Sequence, residues 1–133
     1  MYFKPVVPFG LSAVVAMSIV MPVRAAEVPS ISHAELVKAV QNKKVVLLDV
    51  NGSDSYKSGH IPGALDFAAV QSSLKTKLPA NKKVLVVAYC GNEYCGAYKA
   101  GAEAAKKLGY TNVKHYSPGI AGWKKSGAKT AKG

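Results

Sequence analysis

Residues 84–108 constrain the fold of this chain more than any other stretch. Val84 to Tyr89 is a continuous apolar run with three valines in six residues, the pattern of a strand buried on both faces of a parallel sheet. The run ends at Cys90. After the short polar loop Gly91-Asn92-Glu93-Tyr94-Cys95, an alanine-rich segment from Gly96 carries good helix formers, with Ala100, Ala104 and Leu108 spaced to line one face. The unit is strand, cysteine loop, helix.

That unit has a chemical consequence. The first amides of a helix have no internal partners and carry the positive end of its dipole, so such a loop holds anions. A cysteine on its sheet side is expected to have its thiolate, the reactive form, favoured. Ligands of open α/β sheets sit beyond the carboxyl ends of the strands, where this loop falls. The competing reading makes Cys90 a small buried core residue, and this stretch alone leaves both open.

With 133 residues the chain accommodates one domain and one core. Its 2 cysteines both lie in that loop, and its formal charge is +11. The single arginine, Arg24, lies in a segment expected to be removed, so the rest is cationic through lysine alone. Phosphate and base recognition usually exploit the forked guanidinium, and no aromatic-interleaved basic run is present. The charge therefore reads as a solvated cationic surface that biases encounters with anions or acidic partners.

Residues 1–25 read as a secretory signal: Lys4 supplies a positive start, an apolar stretch from Val6 to Val23 follows, and cleavage is expected after Ala25 or Ala26. An uncleaved membrane anchor is the rival, disfavoured by Pro8, Gly10 and Pro22 within the stretch. Export places the protein in an oxidising compartment, periplasmic or secreted. The single domain is expected over 27–125, with a loose polar tail at 126–133.

Within the domain, Val28 to Ile31 suits a short edge strand. Ser32-His33-Ala34-Glu35 has capping-box spacing, opening a helix from His33 to about Gln41 with Leu36, Val37 and Val40 inward; His33 reads as a surface residue. Val45 to Val50 is a second buried strand with Asp49 at its carboxyl end. Asn51 to Ser55 is turn chemistry, Tyr56 to Ala64 a loop, Leu65 to Phe67 a short strand and Ala68 to Leu78 a helix closed by Pro79. Asn112 to Tyr116 gives the last strand, and a short helix follows through Trp123. Alternating strands and helices imply a mostly parallel sheet covered on both faces.

These segments together resemble the rhodanese family from about Ile31 to Trp123. Three blocks carry the resemblance: Leu48-Asp49-Val50 with Tyr56 and Gly59-His60-Ile61-Pro62-Gly63-Ala64; Val87-Ala88-Tyr89-Cys90 leading to Leu108-Gly109-Tyr110; and Gly119-Ile120-Ala121-Gly122-Trp123. The resemblance implies a three-layer α/β/α fold with a mostly parallel five-stranded sheet. It implies a sulfurtransferase in which Cys90 attacks the sulfane sulfur of thiosulfate or a persulfide, becomes a persulfide, and passes the sulfur to a thiol or cyanide. Amides of Gly91, Asn92, Glu93, Tyr94 and Cys95 would cradle the persulfide anion. Asp49 and His60 would brace the loop, and neither metal nor cofactor is required. Expected partners are a small sulfur donor or a protein thiol or persulfide, without nucleic acid and without membrane after signal cleavage, for a monomer.

The chain departs from the family pattern in several places. Relatives with a longer phosphatase-type loop carry an arginine where this chain has Gly96, so phosphatase activity is not expected. Many rhodaneses have an arginine in place of Asn51 and an acidic residue in place of Ser55. Thiosulfate-using relatives often set a basic side chain beside the cysteine, where this chain has Gly91 with Glu93 nearby, which disfavours small anionic donors. Cys95 takes the place of a frequent hydroxyl residue: either a resolving thiol that pairs with Cys90, or a hydroxyl substitute. Two further readings stay open, a non-catalytic persulfide carrier or sensor and a thiol-disulfide redox protein, although Cys90 and Cys95 lack Cys-X-X-Cys spacing.

Overall fold

The computed structural model describes residues 2, 4–5, 8, 10, 13–20 and 27–133. The expected cleavage site at Ala25 or Ala26, and part of the expected signal, lie outside the described residues. No helix among the described residues is long and apolar enough to cross a membrane.

Helix α1 (His33–Gln41) starts where the sequence places it, with the Ser32 hydroxyl accepting the Glu35 N–H at 3.2 Å. Strands β1 (Val46–Asp49), β2 (Leu65–Asp66), β3 (Val86–Tyr89) and β4 (Val113–His115) form one parallel sheet in the order β2-β1-β3-β4. The register sets Asp49 beside Tyr89 on one side and beside Asp66 on the other. Between these strands lie α2 (Ser53–Ser58), α3 (Phe67–Val70), α4 (Leu74–Lys77) and α5 (Tyr98–Lys107), and α6 (Gly119–Lys125) follows the last.

Side chains alternate across the sheet, and so build two cores. Leu47, Val87 and Tyr89 face Leu36 of α1 and Ile120 and Trp123 of α6. Leu48, Val86 and Ala88 face Phe67, Leu74, Ala102 and Ala105. Helices on both faces give the three layers expected.

Several details differ from expectation, each for a local reason. The sheet has four strands rather than five: Ser30 makes a single parallel bridge to His115. That bridge is flanked by Ile31 N–H to His115 O and His115 N–H to Pro29 O, both 2.9 Å. Pro29 has no N–H with which to extend the ladder. The helix expected over 68–78 is broken into α3, a 3₁₀ turn at Gln71–Ser73 and α4. There the Ser73 and Thr76 hydroxyls bond the Val70 and Ser73 carbonyls, competing with the backbone ladder. Residues 53–58, read as turn and loop, close about one and two-thirds turns of helix. The tail at 126–133, expected to be loose, is pinned: His60 and Ala131 exchange both backbone bonds at 2.9 Å, Gly133 N–H reaches Lys57 O at 3.1 Å, and the Trp123 indole donates to Lys129 O at 2.8 Å.

Candidate active site

The loop between β3 and α5 is longer than the sequence suggests, because α5 begins at Tyr98 and leaves Gly96 and Ala97 outside it. Of the expected face, Ala104 and Leu108 pack partly buried against the core. Gly101, Ala102 and Ala105 are buried against the sheet while Ala100 is exposed. A Cβ at Gly101 would sit 3.0 Å from Val50 Cγ2, so the smallest residue lets the helix lie close.

Cys90 follows the last residue of the central strand and is 2% exposed. Cys95 is half-buried, whereas Asn92, Glu93 and Tyr94 are exposed, Tyr94 at 89%. Both cysteines are free thiols. The Cys90 thiol donates toward Cys95, reaching its carbonyl oxygen at 3.3 Å and engaging its sulfur.

The cradle differs from the one expected over Gly91 to Cys95. The Gly91 N–H faces both sulfurs, Tyr98 N–H faces Cys90, and Ala97 N–H faces Cys95. The amides of Tyr94 and Cys95 are used within the loop, bonding Asn92 Oδ1 at 3.0 Å and Asn92 O at 3.2 Å. Asn92 thus shapes the turn that brings Cys95 back to Cys90.

The electrostatics correct the expectation for Cys90. Burial pushes its thiol up, and hydrogen bonding to Cys95 adds to this, outweighing the Tyr98 and Gly91 amides. Cys95 is pushed down, first by the thiol hydrogen bond from Cys90 and then by the Gly91 amide. The Cys90 hydrogen bond, with the Gly91 and Ala97 amides, therefore favours the thiolate more at Cys95 than at Cys90.

Helix α6 secures the loop from the other side. Ile120 N–H bonds Cys90 O at 2.9 Å and Ala121 N–H bonds Gly91 O at 3.0 Å. This closeness requires Gly119, whose φ is +64°: a Cβ there would lie 2.5 Å from Cys90 O and 2.7 Å from Asn92 N. Beside the loop is a hollow of about 280 Å³ lined by Glu93, Tyr94, Pro118, Ala121 and Lys125 among others.

Asp49, fully buried, accepts the Tyr89 hydroxyl on Oδ2 at 2.7 Å and Asn51 N–H on Oδ1 at 3.0 Å. The Tyr89 oxygen in turn accepts Ile61 N–H at 3.0 Å. Asp49 so braces the residue immediately before Cys90 and ties it to the 59–64 segment. Burial, then the neighbouring Asp49 charge, pushes the Tyr89 phenol far up, so it stays a donor. His60 is placed elsewhere: its ring stacks on Tyr56 at 3.7 Å, and Nδ1 pairs with Tyr56 O at 2.8 Å. It supports the α2 end and the tail. His33 is half-buried rather than a surface residue, bonded to the Tyr116 hydroxyl at 2.7 Å and set edge-on to Trp123. His115 stacks on Tyr98 at 4.2 Å and pairs with Val28 O at 2.9 Å, a structural placement.

Sequence reasoning missed the roles of Tyr89, Asn51 and Gly119, and the Ala97 and Tyr98 amides altogether. Tyr89 had a signal, since a tyrosine in an otherwise apolar strand must find a partner for its hydroxyl. Asn51 Oδ1 lies 3.6 Å from where a Gly91 Cβ would be, and its Nδ2 is buried without a hydrogen-bond partner among the described residues. It packs against the loop from the position where many relatives carry arginine.

The chain belongs to the family whose model is described as the Rhodanese-like domain, which matches residues 32–126. It is 29% identical over 105 residues to the HTH-type transcriptional regulator Rv0324 of Mycobacterium tuberculosis. That match covers 78% of this chain and 45% of the relative, so the chain spans less than half that curated relative's length. Among solved structures, a rhodanese-related protein from Thermoplasma volcanium superposes with a TM-score of 0.60 at 21% identity, covering 77% of this chain and 97% of that one. A thiosulfate sulfurtransferase from Pseudomonas aeruginosa gives 0.65 at 18% identity, with 79% and 20% covered. At these identities the structural likeness is one of fold.

Proposed function

We propose that this domain is a sulfurtransferase that carries sulfane sulfur as a persulfide on Cys90, taking it from thiosulfate or a persulfide donor and passing it to a thiol or cyanide. The observation that carries the reading is the seating of Cys90. It stands at the carboxyl end of the central strand, its sulfur meets the Gly91 and Tyr98 amides, and its carbonyl is held by Ile120. An outer persulfide sulfur, ionised more readily than a thiol, is the charge such amides stabilise. Glu93 on the exposed rim disfavours anionic donors and makes a small persulfide, or one borne on a protein, the better substrate.

The protein acts after export, as a monomer meeting small sulfur donors or protein thiols in a periplasmic or secreted setting. The support is the sequence pattern of residues 1–26, and fractionation of cells expressing the full chain tests it. For the chemistry, transfer from thiosulfate and from a small persulfide is measured with the parent and Cys90→Ser. Turnover that vanishes with Cys90→Ser supports the reading, and turnover that survives refutes it.

A second reading is favoured by the burial of Cys90, which pushes its thiol up, and by the regulator-named relative. In it the domain holds persulfide as a carrier or sensor without turnover. Stoichiometric loading with no multiple turnover in the same assay selects it.

A further inference from the structure

We propose that Cys95 is the thiol that first receives the sulfane sulfur and relays it to Cys90, where the persulfide is stored. This rests on the reading that the loop accepts sulfane sulfur, and adds the order in which its two cysteines act.

The geometry separates their tasks. Cys90 is 2% exposed, in a loop whose exposed residues are Asn92, Glu93, Tyr94, Gly96 and Ala97. Cys95 is half-buried, and so more open to a donor's outer sulfur than Cys90. Three hydrogen-bond donors converge on the Cys95 sulfur: the Gly91 and Ala97 amides and the Cys90 thiol itself. Cys95 is thus the more readily ionised of the two and the better first nucleophile, while burial pushes the Cys90 thiol up and leaves its attack to the second step, where the proton it releases passes to the Cys95 sulfur. Tyr94 is exposed, and the hollow beside it, lined in part by Asn92 and Glu93, leaves room for a donor of some size next to the loop.

The chemistry balances without an outside oxidant or reductant. In the first step the Cys95 thiolate attacks the outer sulfur of a persulfide R–S–SH. The donor's S–S bond breaks, a Cys95 S–S bond forms, and the donor thiol leaves as thiolate. In the second step the Cys90 thiol attacks the outer sulfur of the Cys95 persulfide, that S–S bond breaks, and the Cys95 sulfur takes the proton Cys90 releases. Cys90 then bears the persulfide and Cys95 is a thiol again. The sulfur oxidation level is conserved throughout.

The test reacts the parent, Cys90→Ser and Cys95→Ser proteins with one equivalent of glutathione persulfide and maps the added sulfur by peptide mass spectrometry over time. The relay predicts sulfur trapped on Cys95 in Cys90→Ser, and Cys90 loading in Cys95→Ser slowed about tenfold or more relative to the parent. Sulfur absent from Cys90→Ser, with equal loading rates in the parent and Cys95→Ser, overturns the relay but leaves the Cys90 reading intact. Sulfur on neither cysteine of the parent removes both. One equivalent of sulfide released as a Cys90–Cys95 disulfide forms also overturns the relay, since Cys90 would then attack the inner sulfur. Should a variant fail to fold, pulse alkylation of the parent with limiting iodoacetamide decides: label first on Cys95 supports the relay, and label first on Cys90 contradicts it.

Discussion

Replacing Gly119 by alanine is expected to dislodge the cysteine loop. A Cβ at this position would lie 2.5 Å from Cys90 O and 2.7 Å from both Asn92 N and Gly91 C, all backbone atoms that cannot swing aside. The residue also has φ of +64°, where an L side chain costs about 1–2 kcal/mol. Forcing a methyl into a packed site adds about 1–3 kcal/mol, giving roughly 2–5 kcal/mol in all, a large share of the 5–15 kcal/mol that holds a domain folded. Gly127 supplies the control, because its φ is +81° but nothing lies within 4 Å of a Cβ there. Gly127→Ala keeps only the backbone strain, partly offset by the stiffer unfolded chain, and costs about 1 kcal/mol. Urea unfolding measures both, with a melting temperature for Gly119→Ala expected about 10–20 °C below the parent. Because the clash falls on the loop that Ile120 and Ala121 hold, persulfide loading should be lost in Gly119→Ala even where it remains folded. Equal costs for the two variants, with loading preserved in both, would refute the claim that α6 positions the loop through Gly119.

Tyr89→Phe removes the donor to buried Asp49 and the acceptor for Ile61 N–H, and should cost about 2–3 kcal/mol by urea unfolding; a loss below about 0.5 kcal/mol would contradict the bracing role of this network. The phenols of Tyr89, Tyr56 and Tyr116 are all held up by burial, so the folded protein keeps protons the unfolded chain releases above about pH 10. Their stabilisation is complete below that pH and lost above it, and unfolding followed from pH 8 to 11 should show a decline at the alkaline end that Tyr89→Phe makes shallower. Thiolate absorbance against pH should show the first thiol titrating below the ordinary thiol range, and that midpoint should rise in Cys90→Ala, which removes the strongest hydrogen bond to Cys95; an unmoved midpoint would mean that Cys90 does not hold the Cys95 thiolate. Glu93→Gln should improve kcat/KM for thiosulfate by up to about thirtyfold, since a carboxylate about 4 Å from a bound dianion costs about 2 kcal/mol even in water, while leaving an uncharged persulfide donor unaffected.

The scaffold was legible where burial is regular. The apolar runs ending at Asp49 and Tyr89 declared two strands buried on both faces, and the Ser32–Glu35 spacing declared a helix start. What escaped depended on partners distant in the chain or on backbone bonds that side chains do not announce. Tyr89 meets Asp49 across 40 residues of sequence, and the register of β1 on β3 sets them side by side. The tail carries no apolar period, yet Ala131 and Gly133 are fixed through main-chain bonds to His60 and Lys57. At the site itself, Cys90 was legible as a loop cysteine beyond a central strand. The division of labour between the sulfurs was not, because it follows from two turns: Asn92 takes the Tyr94 and Cys95 amides, and α5 opens at Tyr98 rather than Gly96. Both turns deliver Gly91 and Ala97 amides to Cys95, whereas the resemblance placed the amides of residues 91–95 around a persulfide on Cys90.

The most direct measurement follows sulfur on the unmodified protein. After incubation with excess small persulfide and removal of the donor, mass spectrometry should find one added sulfur atom on the peptide containing Cys90, and added cyanide should strip it as thiocyanate in equal amount. Protein that emerges with its mass unchanged, or that yields no thiocyanate, would contradict the proposal that this strand-end cysteine carries transferable sulfur.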